Sequence, residues 1–213
     1  MQPARNFDTL HEAVSKRLNR LRLIANRAYL RPSNEFAESN REMSFIIIEF
    51  HSAIANFARS YFLSCTIKPK SKSGVNISCD PTIRNYADAI DAAMKACKNS
   101  VWRRSPGYAW SRRDEPSWHQ PSTLINSSQE INCSYHTNIL SAFSVPTRVF
   151  TDLTVFRNFY AHRNESTVSL ARNLVTHYGI TTTTSLHPTR ILCTPTYNRP
   201  QPIILDWIDE VQI

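Results

Sequence analysis

A long apolar segment around residue 50 is the feature that most constrains how this chain can fold. Its apolar residues recur at steps of three and four from about residue 41 to residue 64, which predicts an α-helix. Bulky apolar residues also occupy the other faces of this helix, and a helix that is apolar all round is normally buried. The segment therefore predicts the central helix of a helical domain. We interpret its polar residues as structural hydrogen-bonding residues: Glu49, His51 and Arg59.

Three further stretches have helical spacing, at about 7–30, 80–98 and 146–178. Asp80-Pro81 is typical of a helix start, and Tyr178-Gly179 of a helix stop. Between the last two stretches, residues 99–145 predict an irregular insertion with short helices near 120–129 and 134–143. From residue 181 the chain is rich in Thr and Pro, which predicts a hairpin or extended tail with a helical turn near Trp207.

These patterns predict a mainly α fold, a bundle of about four long helices. Its expected helical domain covers residues 1–180, with the insertion at 99–145 and a C-terminal extension at 181–213 packed on it. No segment approaches the ~18 apolar residues that a membrane span requires, so a cytoplasmic protein without membrane contact is expected. The five cysteines are widely spaced with no C-x-x-C motif, which predicts buried thiols in a reducing compartment.

Charge and missing motifs narrow the function classes. The 25 Lys and Arg residues against 17 Asp and Glu give a net charge of +8, which attracts polyanions such as nucleic acids. The sequence has no H-E-x-x-H, no phosphate-binding glycine loop and no G-x-S-x-G. We therefore expect neither a metal nor a cofactor.

The segment Arg157-Asn158-Phe159-Tyr160-Ala161-His162 has the residue types of a phosphate-processing site. On a straight helix Tyr160 belongs to a core stripe, whereas Asn158, His162 and Glu165 fall on the opposite side. His162 is thus not predicted to be a core histidine. Asn158 and Glu165, at i−4 and i+3, are predicted to orient its imidazole. The core stripe comprises Leu153, Phe156, Asn164, Ala171, Leu174 and Tyr178.

The chemistry that suits these residues is metal-independent cleavage of RNA by its own 2′-hydroxyl. A histidine side chain exchanges protons near neutral pH, and the guanidinium groups of Arg157 and the flanking Arg163 suit a phosphate. Arg157 and His162 lie about 140° apart around a straight helix, so they do not converge on one phosphate from a single copy. We therefore expect a symmetric homodimer that brings two arginines and two histidines into one cleft.

The run Phe-Arg-Asn-Phe-Tyr-Ala-His-Arg-Asn at 156–164 resembles the motif of the HEPN superfamily, an arginine followed after four to six residues by a histidine. The resemblance implies a helical bundle that dimerises around the motif, with Arg157 and His162 as catalytic pair and Asn158 in support. It also implies a ribonuclease of a prokaryotic toxin-antitoxin, abortive-infection or other antiviral defence system. A partner antitoxin or defence protein is expected on the same basis.

The insertion offers a second group of candidate RNA-binding residues. Aromatic residues alternate there with arginines, a pattern that can stack bases and hold the phosphates of a single strand. In the alternative interpretation, the tryptophans only cover the helical bundle. The candidates are Arg103, Arg104, Arg112, Arg113 and Trp110.

Two alternatives to an endoribonuclease stay open at this point. One is a non-catalytic HEPN-like module that binds RNA, a nucleotide or a protein. The other is a structural or adaptor bundle in which the segment 157–162 is an ordinary polar helix face.

Overall fold

A computed structural model describes residues 1–71, 73–98, 110–181, 186–196 and 199–212. The described chain is mainly helical, as predicted, with one short antiparallel hairpin near the C-terminus. The elements are α1 (Phe7–Leu30), α2 (Phe36–Ser64), α3 (Tyr86–Lys98), α4 (Pro121–Glu130), α5 (His136–Ala142), α6 (Val149–His162), α7 (Glu165–Asn173), α8 (Pro188–Leu192), β1 (Pro195–Thr196), β2 (Arg199–Pro202) and α9 (Ile203–Val211).

The chain forms two compact units, each made of two separate stretches of sequence. The first comprises Met1–Val14 and Ile54–Pro146, and the second comprises Ser15–Ala53 and Thr147–Ile213. Helices α1 and α2 therefore contribute residues to both units. The tail that begins at residue 181 belongs to the second unit together with α6 and α7. One helical domain over residues 1–180 with a packed extension stays a prediction.

The first unit has its own apolar core, formed by the end of α2 and by α3, α4 and α5. Trp118 is buried and its ring lies 5.2 Å from that of Phe62. Its indole nitrogen donates a hydrogen bond of 2.8 Å to Glu115, which also accepts from Arg59 at 2.6 Å. The two short helices predicted inside the insertion are confirmed as α4 and α5. Arg59 behaves as a structural hydrogen-bonding residue.

The predicted start of α3 was wrong. Asp80 and Pro81 form a turn, in which the Asp80 carboxylate accepts from the backbone of Thr82 at 2.8 Å. The helix begins at Tyr86, because Asn85 caps it by accepting from the backbone of Asp88 at 3.0 Å. The Asp88 carboxylate in turn accepts from the side-chain amide of Asn85. This reciprocal cap, rather than Asp80-Pro81 upstream, sets the start of the helix.

The five cysteines are free thiols. Cys65 and Cys133 are buried, as predicted, with their sulfur atoms 3.6 Å apart in the first unit. Cys79, Cys97 and Cys193 are only partly buried. A reducing compartment stays a prediction.

The second unit contains α6, and here the predicted fourth helix was wrong in its length. The helix ends at His162, because Arg163 adopts the left-handed conformation with φ 47°. Asn164 then caps a new helix, α7, by accepting from the backbone of Thr167 at 2.9 Å. Asn164 is exposed, so it does not belong to the core stripe in which it was predicted. A 3₁₀ segment (Leu174–Tyr178) follows and stops at Gly179, as predicted.

The tail completes the second unit. β1 and β2 pair antiparallel, which confirms the predicted hairpin, and α9 buries Trp207. The ring of Trp207 lies 5.7 Å from that of Phe156 on α6. The tail thus covers the buried side of the helix that carries the segment 157–162.

Candidate functional site

Helix α6 is fixed near its C-terminal end by a chain of hydrogen bonds. Tyr160 is buried, and its hydroxyl donates to Thr189 at 2.7 Å because the Thr189 proton is given to Asn40 at 2.7 Å. Burial raises the pKa of Tyr160 above its ordinary value, so the phenol keeps its proton. The chain joins α2, α6 and α8, and it sets the rotation of α6 in the unit.

A second anchor lies one turn into α6. Asp152 is buried and accepts a hydrogen bond of 2.6 Å from the hydroxyl of Tyr178. Burial, followed by the Asp152 carboxylate, raises the pKa of Tyr178, so this phenol also stays a donor. With both ends held, the side of α6 opposite its buried residues has a defined orientation.

The three predicted catalytic residues lie on α6, away from its most buried residues. Arg157 and Asn158 are half-buried and adjacent, and the Arg157 guanidinium donates to the Asn158 amide oxygen at 3.1 Å. His162 is exposed as the last residue of the helix, so the prediction that it is not a core histidine is confirmed. Among the described residues it has no hydrogen-bond partner.

Glu165 does not stand where the straight-helix argument placed it. It is the first residue of α7, beyond the left-handed turn at Arg163 and the cap at Asn164. The i,i+3 relation between His162 and Glu165 was therefore wrong, since it requires one continuous helix. Asn158 and His162 do share α6 at the i,i+4 spacing. Arg163 is exposed in the turn beside His162.

Arg157 and His162 lie five positions apart on one helix, with four residues between them. That spacing gives a rise of about 7.5 Å and a rotation of about 140°. Side chains on a helix lean toward its N-terminus, which takes Arg157 further from His162. Two donors to one phosphate lie within roughly 8 Å of each other at ordinary hydrogen-bond distances. The guanidinium of Arg157 and the imidazole of His162 in one copy thus do not point to the same phosphate.

A second basic group, which the sequence interpretation missed, lies near the end of α6. The ring of His187 packs edge-on against Phe159 of α6 at 5.5 Å and against Phe36 at 5.1 Å. Its Nδ1 accepts from the backbone of Thr189 at 3.2 Å. Burial lowers the pKa of His187, and the positive charges of Arg172, Arg163 and Arg190 lower it further.

The three arginines around His187 come from different elements. Arg163 lies in the turn after α6, Arg172 on α7 and Arg190 on α8, and all three are exposed. Arg172 donates to the backbone oxygen of Leu186 at 3.1 Å, and the Arg190 guanidinium lies 5.1 Å over the ring of Phe36. Arg172 and Arg190 are far from the segment 157–162 in the sequence, which explains why no local motif indicated them, whereas Arg163 directly follows His162.

Two of the candidate residues of the insertion, Trp110 and Arg112, have structural contacts. Arg103 and Arg104 lie outside the described residues. Trp110 is half-buried and donates its indole N–H to Asp91, and Arg112 is exposed and donates to Asn56. Arg113 is exposed. RNA binding by these residues stays a prediction.

Within the described ranges, no helix combines the length and the apolar character needed to cross a membrane. The same part of the chain contains no cluster of three or more His, Cys, Asp or Glu side chains placed to hold a metal ion. Comparisons with protein-family models, with curated proteins and with solved structures find no match for this chain.

Proposed function

We propose that this protein is a metal-independent endoribonuclease of the HEPN type that cleaves single-stranded RNA. The observation that carries the proposal is the position of His162, exposed at the end of a helix whose opposite side is fixed in the unit. A histidine placed in this way reaches a polymeric substrate without any movement of the fold. The resemblance of the segment 156–164 to the superfamily motif supports the same function, within a prokaryotic defence or toxin-antitoxin system.

The proposed reaction needs a proton acceptor and a cation. His162 accepts the proton of a ribose 2′-hydroxyl, whose oxygen bonds to the adjacent phosphorus while the bond from phosphorus to the 5′-oxygen breaks. The 5′-oxygen takes a proton from water. Arg157 balances the negative charge that grows on the phosphoryl oxygens, and Asn158 positions the Arg157 side chain. The products are a 2′,3′-cyclic phosphate and a 5′-hydroxyl.

The proposed site is shared by two copies of the chain. Arg157 and His162 of one copy diverge by about 140° around α6, so they do not meet at one phosphate. A two-fold axis beside α6 would bring Arg157 of one copy to His162 of the other, and symmetry repeats this pair. The cleft then holds two arginines and two histidines. Glu165 and Arg163, on the next turn of chain, line its edge as supporting residues.

Purified protein incubated with single-stranded RNA in EDTA tests this proposal. We expect cleavage that leaves 2′,3′-cyclic phosphate ends and that falls by about 100-fold or more in His162→Ala and in Arg157→Ala. The matched control is His11→Ala, which removes an exposed histidine from α1 and should leave the rate unchanged. Cleavage by the double variant at the parent rate would contradict the proposal.

The second candidate is an HEPN-like module that binds RNA without cleaving it. The exposed arginines around His187 favour this candidate, because guanidinium groups bind phosphates whether or not a reaction follows. RNA binding by a dimeric protein that creates no new RNA ends would select it over the endoribonuclease.

A further inference from the structure

We propose that Arg163, Arg172 and Arg190, grouped around His187, bind the phosphates of the single-stranded RNA next to the cleaved bond. The inference rests on the proposed function, and it names the part of the protein that holds the substrate. Arg163 flanks the segment that resembles the superfamily motif, but neither that resemblance nor the helical pattern points to Arg172 or Arg190.

The distribution of charge in the second unit is the first support. Residues 153–193 contain four arginines and three histidines but a single acidic residue, Glu165. Six other arginines of the unit pair with carboxylates: Arg17 with Glu49, Arg22 with Asp209, Arg27 and Arg31 with Glu42, Arg41 with Glu38, and Arg199 with Glu210. Within the described part of the chain, Arg163, Arg172 and Arg190 have no carboxylate partner. Their charge is available to an anion.

Packing around His187 is the second support, because it places two of the three arginines, Arg172 and Arg190, beside the histidine ring. Phe36 and Phe159 hold the histidine ring from two sides at 5.1 and 5.5 Å. Arg190 lies over the same Phe36 ring, and Arg172 binds the backbone one residue before His187. The positions of Arg172 and Arg190 are therefore products of the fold rather than of freely moving surface side chains.

The third support for the inference is that the arginine cluster adjoins the end of α6 that carries His162. Phe159, which contacts His187, lies one turn before His162 on the same helix, and Arg163 follows His162 directly. Adjacent phosphates of a nucleic-acid strand are spaced by several ångströms, so a strand with one phosphate at His162 extends to neighbouring positions on this surface. Exposed guanidinium groups at such positions suit a phosphodiester backbone, which presents one negative charge per nucleotide.

Binding of a non-cleavable, 2′-O-methylated single-stranded oligonucleotide, measured by fluorescence anisotropy at several salt concentrations, tests the inference. In the triple variant Arg163→Gln, Arg172→Gln, Arg190→Gln, the slope of log K against log salt should become shallower by about 2, at roughly 0.7 per phosphate contact. Affinity should then fall about 100-fold near 0.1 M salt.

Two matched variants make the result specific. The triple arginine-to-lysine variant keeps the charges and should keep the salt slope close to that of the parent. The triple variant Arg5→Gln, Arg20→Gln, Lys70→Gln removes the same net charge from exposed positions elsewhere and should change the slope little. An unchanged slope in the cluster variant, an equal effect in the control triple, or no binding by the parent protein would overturn the inference.

The test of the arginine cluster and the test of the proposed ribonuclease activity give independent results. The oligonucleotide cannot be cleaved, so its binding reports on the arginine cluster even if the protein has no ribonuclease activity. Conversely, loss of RNA cleavage in His162→Ala together with an unchanged salt slope in the cluster variant would keep the endoribonuclease and remove this substrate-binding surface.

Discussion

Mixing two inactive variants tests whether the proposed site is shared between copies. The first variant is Arg157→Ala, which keeps His162, and the second is His162→Ala, which keeps Arg157. In a mixed dimer, one Arg157 from the second variant meets one His162 from the first. If the site is shared, this pair is intact although neither chain carries both residues.

The size of the recovery follows from symmetry. Free exchange at equal concentrations makes about half of the dimers mixed, and each mixed dimer has one intact pair of two. Activity should therefore return to about a quarter of that of the parent protein, from about 100-fold below it in each variant alone. A site within one copy gives no recovery, because neither chain of the mixture carries both Arg157 and His162.

Two affinity tags, one on each variant, allow the mixed dimer to be isolated after co-expression. Cleavage of a fluorescent single-stranded RNA in EDTA then gives its rate, which should reach about half of that of the parent dimer because one pair of two is intact. The control pairs His162→Ala with the double variant and should stay inactive. Mixed dimers of confirmed composition that are as inactive as either parent variant would refute the shared site.

Three further predictions concern the structures that hold the site. Asn164→Ala should lower the free energy of unfolding by about 1 kcal/mol, because α7 loses its N-terminal cap. The control Asn173→Ala, at the other end of α7, should change the free energy of unfolding by less than about 0.5 kcal/mol. Chemical denaturation measures both values. Thr189→Val should lower the free energy of unfolding by roughly 1–3 kcal/mol, because the buried hydroxyl of Tyr160 loses its acceptor. Thr189→Ser keeps the hydroxyl, so a similar loss of stability in that variant would contradict this explanation. The lowered pKa of His187 means that the folded state binds its proton more weakly than the unfolded chain, so stability should fall as the pH drops below about 6.5. Melting temperatures on either side of that pH should differ less in His187→Gln than in the parent, and an equal difference would show that other groups cause it.

Much of the fold was predictable because it depends on local periodicity. The apolar spacing of the first segment and the proline after it predict a helix, and the structure has α1 at Phe7–Leu30. The division of the fourth helix was not predictable in this way. Its left-handed residue is an arginine rather than the usual glycine, and the spacing of apolar residues continues across the turn at Arg163. Periodicity alone does not detect a helix break when the apolar spacing stays in register on both sides of it.

The candidate site was predictable only where it is contiguous in sequence. Arg157, Asn158 and His162 lie on one helix, so their spacing was sufficient to place His162 outside the core. The predicted i,i+3 placement of Glu165 relative to His162 was wrong because the helix ends first. His187 packs against Phe36 and Phe159, Arg190 lies over Phe36, and Arg172 donates to the backbone of Leu186; these contacts join residues that are far apart in the sequence.

The hydrogen-bond chain from Tyr160 through Thr189 to Asn40 also has a consequence for synthesis. Its members, together with Trp207 against Phe156, are separated by most of the polypeptide, and the second unit is interrupted by residues 54–146 of the first. A nascent chain that has already released α6 from the ribosome still lacks the partners that fix this helix. The segment 157–162 is therefore held in place only after α8 and α9, which carry Thr189 and Trp207, have been synthesised.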